Sequence, residues 1–367
     1  VSAGPVGIGV IGAGNISEQY LGNLTTFPDL RVLAVGDLFP DAARARAEQF
    51  GIPAHGTPDA VLAHPEVEIV VNLTIPAAHA DVDLAAIAAG RHVWSEKPLT
   101  LDITEGRAVL ERAAAAGVRI GCAPDTFLGA GLQSARRAIE RGDIGAPLTA
   151  LTLFQVPGPE SWHPNPAFLY QRGAGPLFDM GPYYLTTLVE TFGSIARVAA
   201  VGSRAVDERT VGQGPLAGDR FAVEVPTHVS LLAQFEGGGS ATAILSFEAQ
   251  RPRAGFVEIT GLDGVLRLPD PNRFDGDLRL FRAGDEDWQS LPSTGPANGR
   301  GMGVLDMARS IRAGVAHRAS GELALHVLEV MAAVDESART GEFVTLTSRA
   351  PRTDPLPEDW APTASTL

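Results

Sequence analysis

A chain of 367 residues exceeds what one hydrophobic core usually supports, so two domains of ordinary size are expected. With 45% hydrophobic and 20% charged residues it can bury a sizeable core, which excludes extensive disorder. A formal net charge of −14 argues against nucleic acid or an anionic membrane surface as the main partner, because both call for clustered Lys and Arg.

From the start to about Pro124, short apolar runs (VGIGVI, RVLAVG, EIVVNL, HVW, VRIGC) alternate with helix-like segments such as DAARARAEQF and ADVDLAAIAAG. Alternating units of this kind predict an α/β domain, a parallel sheet covered by helices on both faces, over residues 1–124. Ligands of such sheets bind beyond the carboxyl ends of the strands.

Residues 125–367 read differently. A helix near residues 132–141, a strand from about Leu148 and the stretch GAGPLFDMGPYY (173–184) precede strands HVSLLAQF, SATAILSF and FVEITG, whose period-two alternation predicts an open, mainly antiparallel sheet. This is a second domain of the α+β type. The loops VDERTVGQGPLAGDR and PSTGPANGRGMG read as surface connections or lids, ASGELALHVLEVM opens a long helix, and the Pro-rich tail from Ala350 reads as extended.

No basic segment, apolar run and cleavage site open the chain, and no apolar run approaches the ~18 residues of a membrane span. Cys122 is the only cysteine, which excludes an intrachain disulfide and a cysteine zinc site. The eight histidines show no metal-binding spacing, so no metal is expected. These features together predict a cytoplasmic protein.

The chemistry concentrates at strand ends. GAGNIS (residues 12–17) follows the first apolar strand and opens a helix, the context of a dinucleotide fingerprint. In that reading Gly12 would make the tight turn, Gly14 would let a pyrophosphate approach, and Asn15 and Ile16 would begin the helix whose free N–H groups favour an anion; alone, the stretch reads equally as an ordinary glycine turn. Ser17 stands where a third glycine is usual. Asp37 ends the second strand, placed either to accept ribose hydroxyls or to cap the following helix. Its carboxylate would repel a 2′-phosphate and favours NAD, while Arg44 and Arg46 leave NADP open.

Lys97, in WSEKPLT, lies at the same sheet edge as either a proton-transfer group or an ordinary exposed turn. Asp179 and Tyr183 stand four apart, so they share a helix face as either a cap with a packed ring or a catalytic pair. Trp162 and His163, in ESWHPNPAFLYQ (160–171), suit a sugar or polyol, or else anchor the loop by packing.

The order GAGNIS, TIPAAH, SEKP, GAGPLFDMGPYY, FVEITGLDGVLRLPDPN and ASGELALHVLEVM resembles the Gfo/Idh/MocA oxidoreductases over nearly the whole chain. The more specific sign is EKP followed some 80 residues later by a D-x-G-x-(H/Y) helix. The resemblance implies a Rossmann domain and then an α/β domain whose open sheet often mediates oligomers, so a homo-oligomer (dimer or tetramer) is expected. It implies that Lys97, Asp179 and Tyr183 are catalytic and contact the substrate, and that Lys97-Pro98 is a cis peptide. Thr74, Ile75, Pro76, His79, Glu96 and Lys97 would contact the cofactor. Tyr183 stands where many members have His, and Asp125, expected among the substrate-binding residues with Trp162 and His163, stands where many have Asn or Arg.

The expected function is NAD(P)-dependent hydride transfer at a secondary hydroxyl of a sugar, sugar derivative or cyclic polyol. Two other readings stay open. One is a redox-neutral enzyme of glycosidase or eliminase type with retained NAD. The other is a sugar-responsive regulatory protein, as in the branch that serves as a galactose-pathway co-repressor.

Overall fold

The computed structural model describes residues 4–253 and 255–367. Compactness divides the chain into two units. The first runs through Gln133 and takes in Thr294–Leu328 and Thr353–Leu367; the second comprises Ser134–Ser293 and Glu329–Arg352. The sequence suggested a contiguous division at residue 124, whereas these units are interleaved along the chain.

In the first unit the elements run β1 (Val6–Ile11), α1 (Asn15–Leu24), β2 (Leu30–Gly36), α2 (Pro40–Phe50), β3 (Ala54–Gly56), α3 (Pro58–Leu62), β4 (Ile69–Asn72), α4 (His79–Ala88), β5 (His92–Ser95), α5 (Ile103–Ala116) and β6 (Ile120–Cys122). The six strands form one parallel sheet in the order β3-β2-β1-β4-β5-β6. Every residue of β1 and β4 is buried, which is why these strands read as unbroken apolar runs rather than alternating ones. Strand order reverses between β1 and β4, so their carboxyl ends open the crevice where a parallel sheet of this order binds its ligand.

A later helix, α8 (Met302–Ala313), and the tail from Thr353 belong to this same unit, and buried polar contacts explain why. Asp29 has no exposed surface and accepts from Arg309 Nε at 2.8 Å and from the Thr366 hydroxyl at 2.7 Å. Arg309 also donates to the carbonyls of Ala361 and Ala364 and stacks on Trp360. Arg312 forks onto Glu68 at 2.8 and 2.6 Å.

Removing one partner of a buried pair strands the other charge, so Arg309→Met should cost about 3 kcal/mol in urea denaturation at neutral pH. Burial raises the Asp29 carboxyl, but its hydrogen bonds from Thr366, Arg309 and Leu367 outweigh this and hold it below the ordinary range. A depressed carboxylate stabilises the fold above its unfolded pKa of about 4. The penalty of Arg309→Met should therefore be full at neutral pH and shrink as acid protonates Asp29.

The second unit holds most of α6 (Ala130–Glu140), then β7 (Pro147–Gln155), α7 (Gly175–Phe192), β8 (Ile195–Ser203), a ribbon of β9 (Glu208–Thr210) with β10 (Arg220–Ala222), β11 (His228–Phe235), β12 (Ser240–Ser246), β13 (Phe256–Gly261), β14 (Gly264–Leu268), β15 (Leu278–Arg282), β16 (Gln289–Leu291) and β17 (Val344–Thr345). The long helix α9 (Gly321–Thr340) precedes β17. β9 lies within the segment 206–220 that the sequence suggested was a surface connection or lid, and β10 begins at its last residue. Nine strands form one sheet, antiparallel except for the pairing of β7 with β12. One face packs on α7 through alternate residues such as Val229, Leu231, Ala233 and Phe235 of β11. On the alternate positions Leu232, Thr242 and Leu151 fall in one row, and both leucines are exposed.

Candidate active site

Gly12 has φ +105°, and a Cβ built there would lie 2.6 Å from the carbonyl of Leu73 and 2.9 Å from the nitrogen of Thr74. Only glycine lets the turn after β1 pass so close to the end of β4. Gly14 caps α1 in an extended conformation, no side chain caps the helix, and a Cβ on Gly14 would meet nothing within 4 Å. The start of α1 thus has no side-chain cap and open space beside Gly14, an arrangement that admits a pyrophosphate. Asn15 is exposed and Ile16 half-buried at this edge. Ser17 is fully buried and donates to the Gly14 carbonyl at 2.6 Å, so a small hydroxylated residue provides the close packing expected of a third glycine.

Asp37 is locked onto this turn. Its Oδ2 accepts from the N–H of Ala13 at 2.7 Å, and its Oδ1 accepts from that of Phe39 at 2.9 Å. Each oxygen keeps a lone pair for a ribose hydroxyl. Its bond from Phe39, the residue at the N-cap of α2, also braces the start of that helix, where the N-cap residue's own side chain makes no capping bond. Arg44 pairs with Asp41 at 2.9 Å, and Arg46 with Glu18 at 3.1 Å and Gln49 at 2.6 Å, so both arginines have anionic or polar partners on the protein itself.

Thr74 lies half-buried at the end of β4, with Ile75 and Pro76 exposed beyond it. His79, which the sequence suggested would touch a cofactor, is instead fully buried. Its Nδ1 lies 2.7 Å from the Pro98 carbonyl and its Nε2 3.1 Å from the Thr74 carbonyl. Burial lowers its pKa despite these carbonyls. His79 therefore ties the loop after β4 to the turn after β5.

Within that turn the Lys97-Pro98 bond is cis, as the resemblance implied, and Lys97 is half-buried. Glu96 is nearly buried, accepting from the Tyr20 hydroxyl at 2.8 Å and from the N–H of Lys97 at 2.9 Å. Trp94 Nε1 donates to the same Tyr20 oxygen at 3.3 Å. Burial first, and then the Glu96 charge, raise the Tyr20 phenol well above its ordinary value, so it stays a hydroxyl donor. The Trp94–Tyr20–Glu96 chain anchors the Lys97 turn to α1, and Tyr20 gave no sequence signal beyond an apolar helix face.

Asp125 departs from expectation. It has no exposed surface and caps α8, accepting from the N–H groups of Gly301 at 2.8 Å and Gly303 at 3.1 Å, with Arg300 at 3.7 Å. All of residues 121–136 are buried, so the chain after β6 turns inward and offers Asp125 to protein rather than to substrate.

In the second unit, Pro176 opens α7, where its missing N–H costs nothing. Pro182 lies inside the helix and removes the N–H that would bond the carbonyl of Phe178. Asp179 is half-buried and Tyr183 buried, one turn apart on one face of α7. The neighbouring Tyr184 points elsewhere, donating to Asp270 at 3.0 Å. Trp162 is 59% exposed, so it is no packing anchor. Its ring meets His163 edge to face at 5.5 Å, and His163 meets Phe168 at 5.4 Å. The loop is held from behind by Glu160, which accepts from Tyr170 and, at 2.6 Å, from Arg209; Arg209 in turn pairs with Glu248 at 2.8 Å.

A glycine turn, an uncapped helix start and an acidic residue at the next strand end, at the reversal of a parallel sheet, define a dinucleotide-binding protein. Its family follows from comparison. Residues 6–123 match the model of the oxidoreductase family with an NAD-binding Rossmann fold, and residues 132–267 match the GFO/IDH/MocA C-terminal domain. The chain belongs to the GFO/IDH/MocA oxidoreductases, and its cofactor is NAD.

Similar proteins include myo-inositol 2-dehydrogenase of Thermotoga maritima, 28% identical over 55% of this chain and 59% of that protein. The match to 1,5-anhydro-D-fructose reductase of Ensifer adhaerens is 26% identical over 78% of this chain and 90% of that one. Levoglucosan dehydrogenase in complex with NADH and L-sorbose superposes with a TM-score of 0.81 at 22% identity, covering 94% of this chain and 99% of that one. An NAD binding oxidoreductase from Klebsiella pneumoniae gives 0.82 at 23%, covering 94% and 100%. At these identities the structural likeness speaks for the fold. Among the described residues no helix is long and apolar enough to cross a membrane.

Proposed function

We propose that this oxidoreductase transfers a hydride between NAD and a secondary hydroxyl of a sugar, sugar derivative or cyclic polyol. The observation that carries the reading is the Asp179–Tyr183 face of α7, in a chain that has an NAD-binding Rossmann domain and whose relatives are named for inositol and anhydrofructose. The nicotinamide supplies the hydride acceptor. Gly12, Gly14, Asn15, Ile16 and Asp37 hold the dinucleotide, together with Thr74, Ile75, Pro76, Glu96 and Lys97, while His79 keeps two of these loops in place.

The chain's remaining task is the hydroxyl proton. Tyr183 handles it, with Lys97 as its electrostatic partner and Asp179 as the group that orients Lys97 or the substrate hydroxyl. Trp162 and His163 offer an aromatic face and a polar edge to the sugar. The test is a panel of sugars and inositols with NAD, following reduced cofactor. Turnover of at least one polyol supports the reading, and silence across the panel with tightly bound NAD in the protein counts against it.

The Asp37 carboxylate makes NAD the better substrate than NADP in this reading, since a 2′-phosphate would meet its charge. Asp37→Ser should narrow or reverse the ratio of kcat/KM for NAD over NADP. A parent enzyme that prefers NADP would overturn this.

The exposed row of Leu151 and Leu232, with Val201 exposed on the same face, suits burial against a second copy, as contiguous apolar surface on a sheet often marks an interface. We expect a homo-oligomer; a monomeric mass by light scattering would contradict it. The same reading places the protein in the cytoplasm, which suits a chain whose one thiol is buried.

A further inference from the structure

Asp83 lies on α4 one turn after His79, with no exposed surface, and none of the chemistry above uses it. Its Oδ1 accepts from Asn72 Nδ2 at 2.7 Å. The oxygen of the same amide faces the other way and accepts twice from Thr74, from its hydroxyl at 2.6 Å and from its N–H at 3.2 Å.

This chain of bonds has a direction. An amide carries a donor end and an acceptor end, and a carboxylate only accepts. Asp83 therefore requires Asn72 to turn its NH2 inward, which leaves the amide oxygen for Thr74. A second inward bond, from Nδ2 to the His79 carbonyl at 3.2 Å, fixes the same orientation. The hydroxyl of Thr74 has one proton, and it is committed to Asn72. What the hydroxyl offers outward is lone pairs alone.

Thr74 also stands beside the glycine turn that the proposed function assigns to the dinucleotide. Its nitrogen lies 2.9 Å from the Cβ position that Gly12 leaves empty, and it is only half-buried. We propose that Asp83 is a positioning residue which, through Asn72, fixes Thr74 as a hydrogen-bond acceptor toward a donor group of the bound dinucleotide, the carboxamide NH2 or a ribose hydroxyl. Burial pushes the Asp83 carboxyl up to about 7, against the hydrogen bonds from Asn72 and Ser95. Neutralising it leaves one oxygen as an acceptor, so Asn72 keeps its orientation in either state.

The inference rests on NAD binding at this turn, which the parent protein's own NADH affinity tests separately. The deciding experiment is a double-mutant cycle on NADH binding, read by fluorescence titration. Loss of one hydrogen bond should make Thr74→Val and Asp83→Ala each weaken NADH by about 5- to 10-fold. The double variant should be no weaker than Asp83→Ala alone, because both changes remove the same bond. The exchanged pair Asp83→Asn with Asn72→Asp still presents an acceptor to Thr74, gives up only the longer bond to the His79 carbonyl, and should bind within about threefold of the parent.

With the acetylpyridine analogue, which lacks the carboxamide NH2, the Thr74→Val penalty should vanish if that group is the donor and persist if a ribose hydroxyl is. Full additivity of the two single changes would overturn the proposal. So would parental binding by Asp83→Ala. If Asp83→Ala fails to fold, the exchanged pair decides, and tenfold weaker binding by it would overturn the proposal equally.

Discussion

Tyr183→Phe should bind NADH much as the parent does, and both it and Lys97→Ala should turn substrate over roughly 10² to 10⁴ times more slowly, the usual worth of a positioned acid or base. Tyr183→Phe removes one oxygen from a ring that is already buried in α7, so the helix keeps its packing. The loss should then fall on kcat, with little change in KM, because proton transfer contributes at the transition state rather than in the bound complex. Asp179→Asn keeps the shape and removes the charge, and should fall between the parent and Tyr183→Phe. Near-normal turnover by Tyr183→Phe would reduce Tyr183 to a packed ring and Asp179 to an ordinary residue inside α7.

The second large effect separates two glycines that look alike in the sequence. Gly12→Ala places a methyl 2.6 Å from the Leu73 carbonyl at a φ of +105°, and the obstructing atoms are backbone, which cannot rotate aside. It should cost about 2 to 3 kcal/mol of stability and weaken NADH by more than tenfold. Gly14→Ala meets no protein atom within 4 Å, at a φ of −71° that alanine adopts freely. It should fold as the parent does, yet weaken NADH because its methyl occupies the space above the helix start. Urea denaturation beside fluorescence titration distinguishes the pair. Parental NADH affinity in Gly14→Ala would place the pyrophosphate elsewhere.

Much of this was legible in the residues, for local reasons. Continuous apolar runs mark strands buried on both faces, and the glycine turn after β1 shows its function in one short segment because turn, helix start and strand end are adjacent in the chain. The spacing of Asp179 and Tyr183 needs only one helical turn to place them on a common face. Asp37 was legible as a strand-end acid, although its grip on the Ala13 N–H required the fold.

The rest depends on distant segments. Asp125 looked like a strand-end residue open to substrate, and its role as the cap of α8 depends on a helix some 175 residues away. The attachment of α8 and the tail to the first unit rests on pairs such as Asp29–Arg309, which carry no local signature. Asn72 and Asp83 gave a faint signal, a polar residue at the end of an apolar strand and an acid on a mostly apolar helix. Only their pairing, at 2.7 Å, explains both.

The central claim, direct hydride transfer from a carbinol carbon to NAD, is tested most directly by isotope. A polyol found active in the panel is prepared with deuterium on its oxidised carbon, and the reduced cofactor and product are analysed by mass spectrometry and NMR. The account predicts one deuterium at C4 of the nicotinamide, on a single face, in stoichiometric amount with oxidised product. Deuterium lost to solvent, or returned to product with no net reduced cofactor, would contradict it.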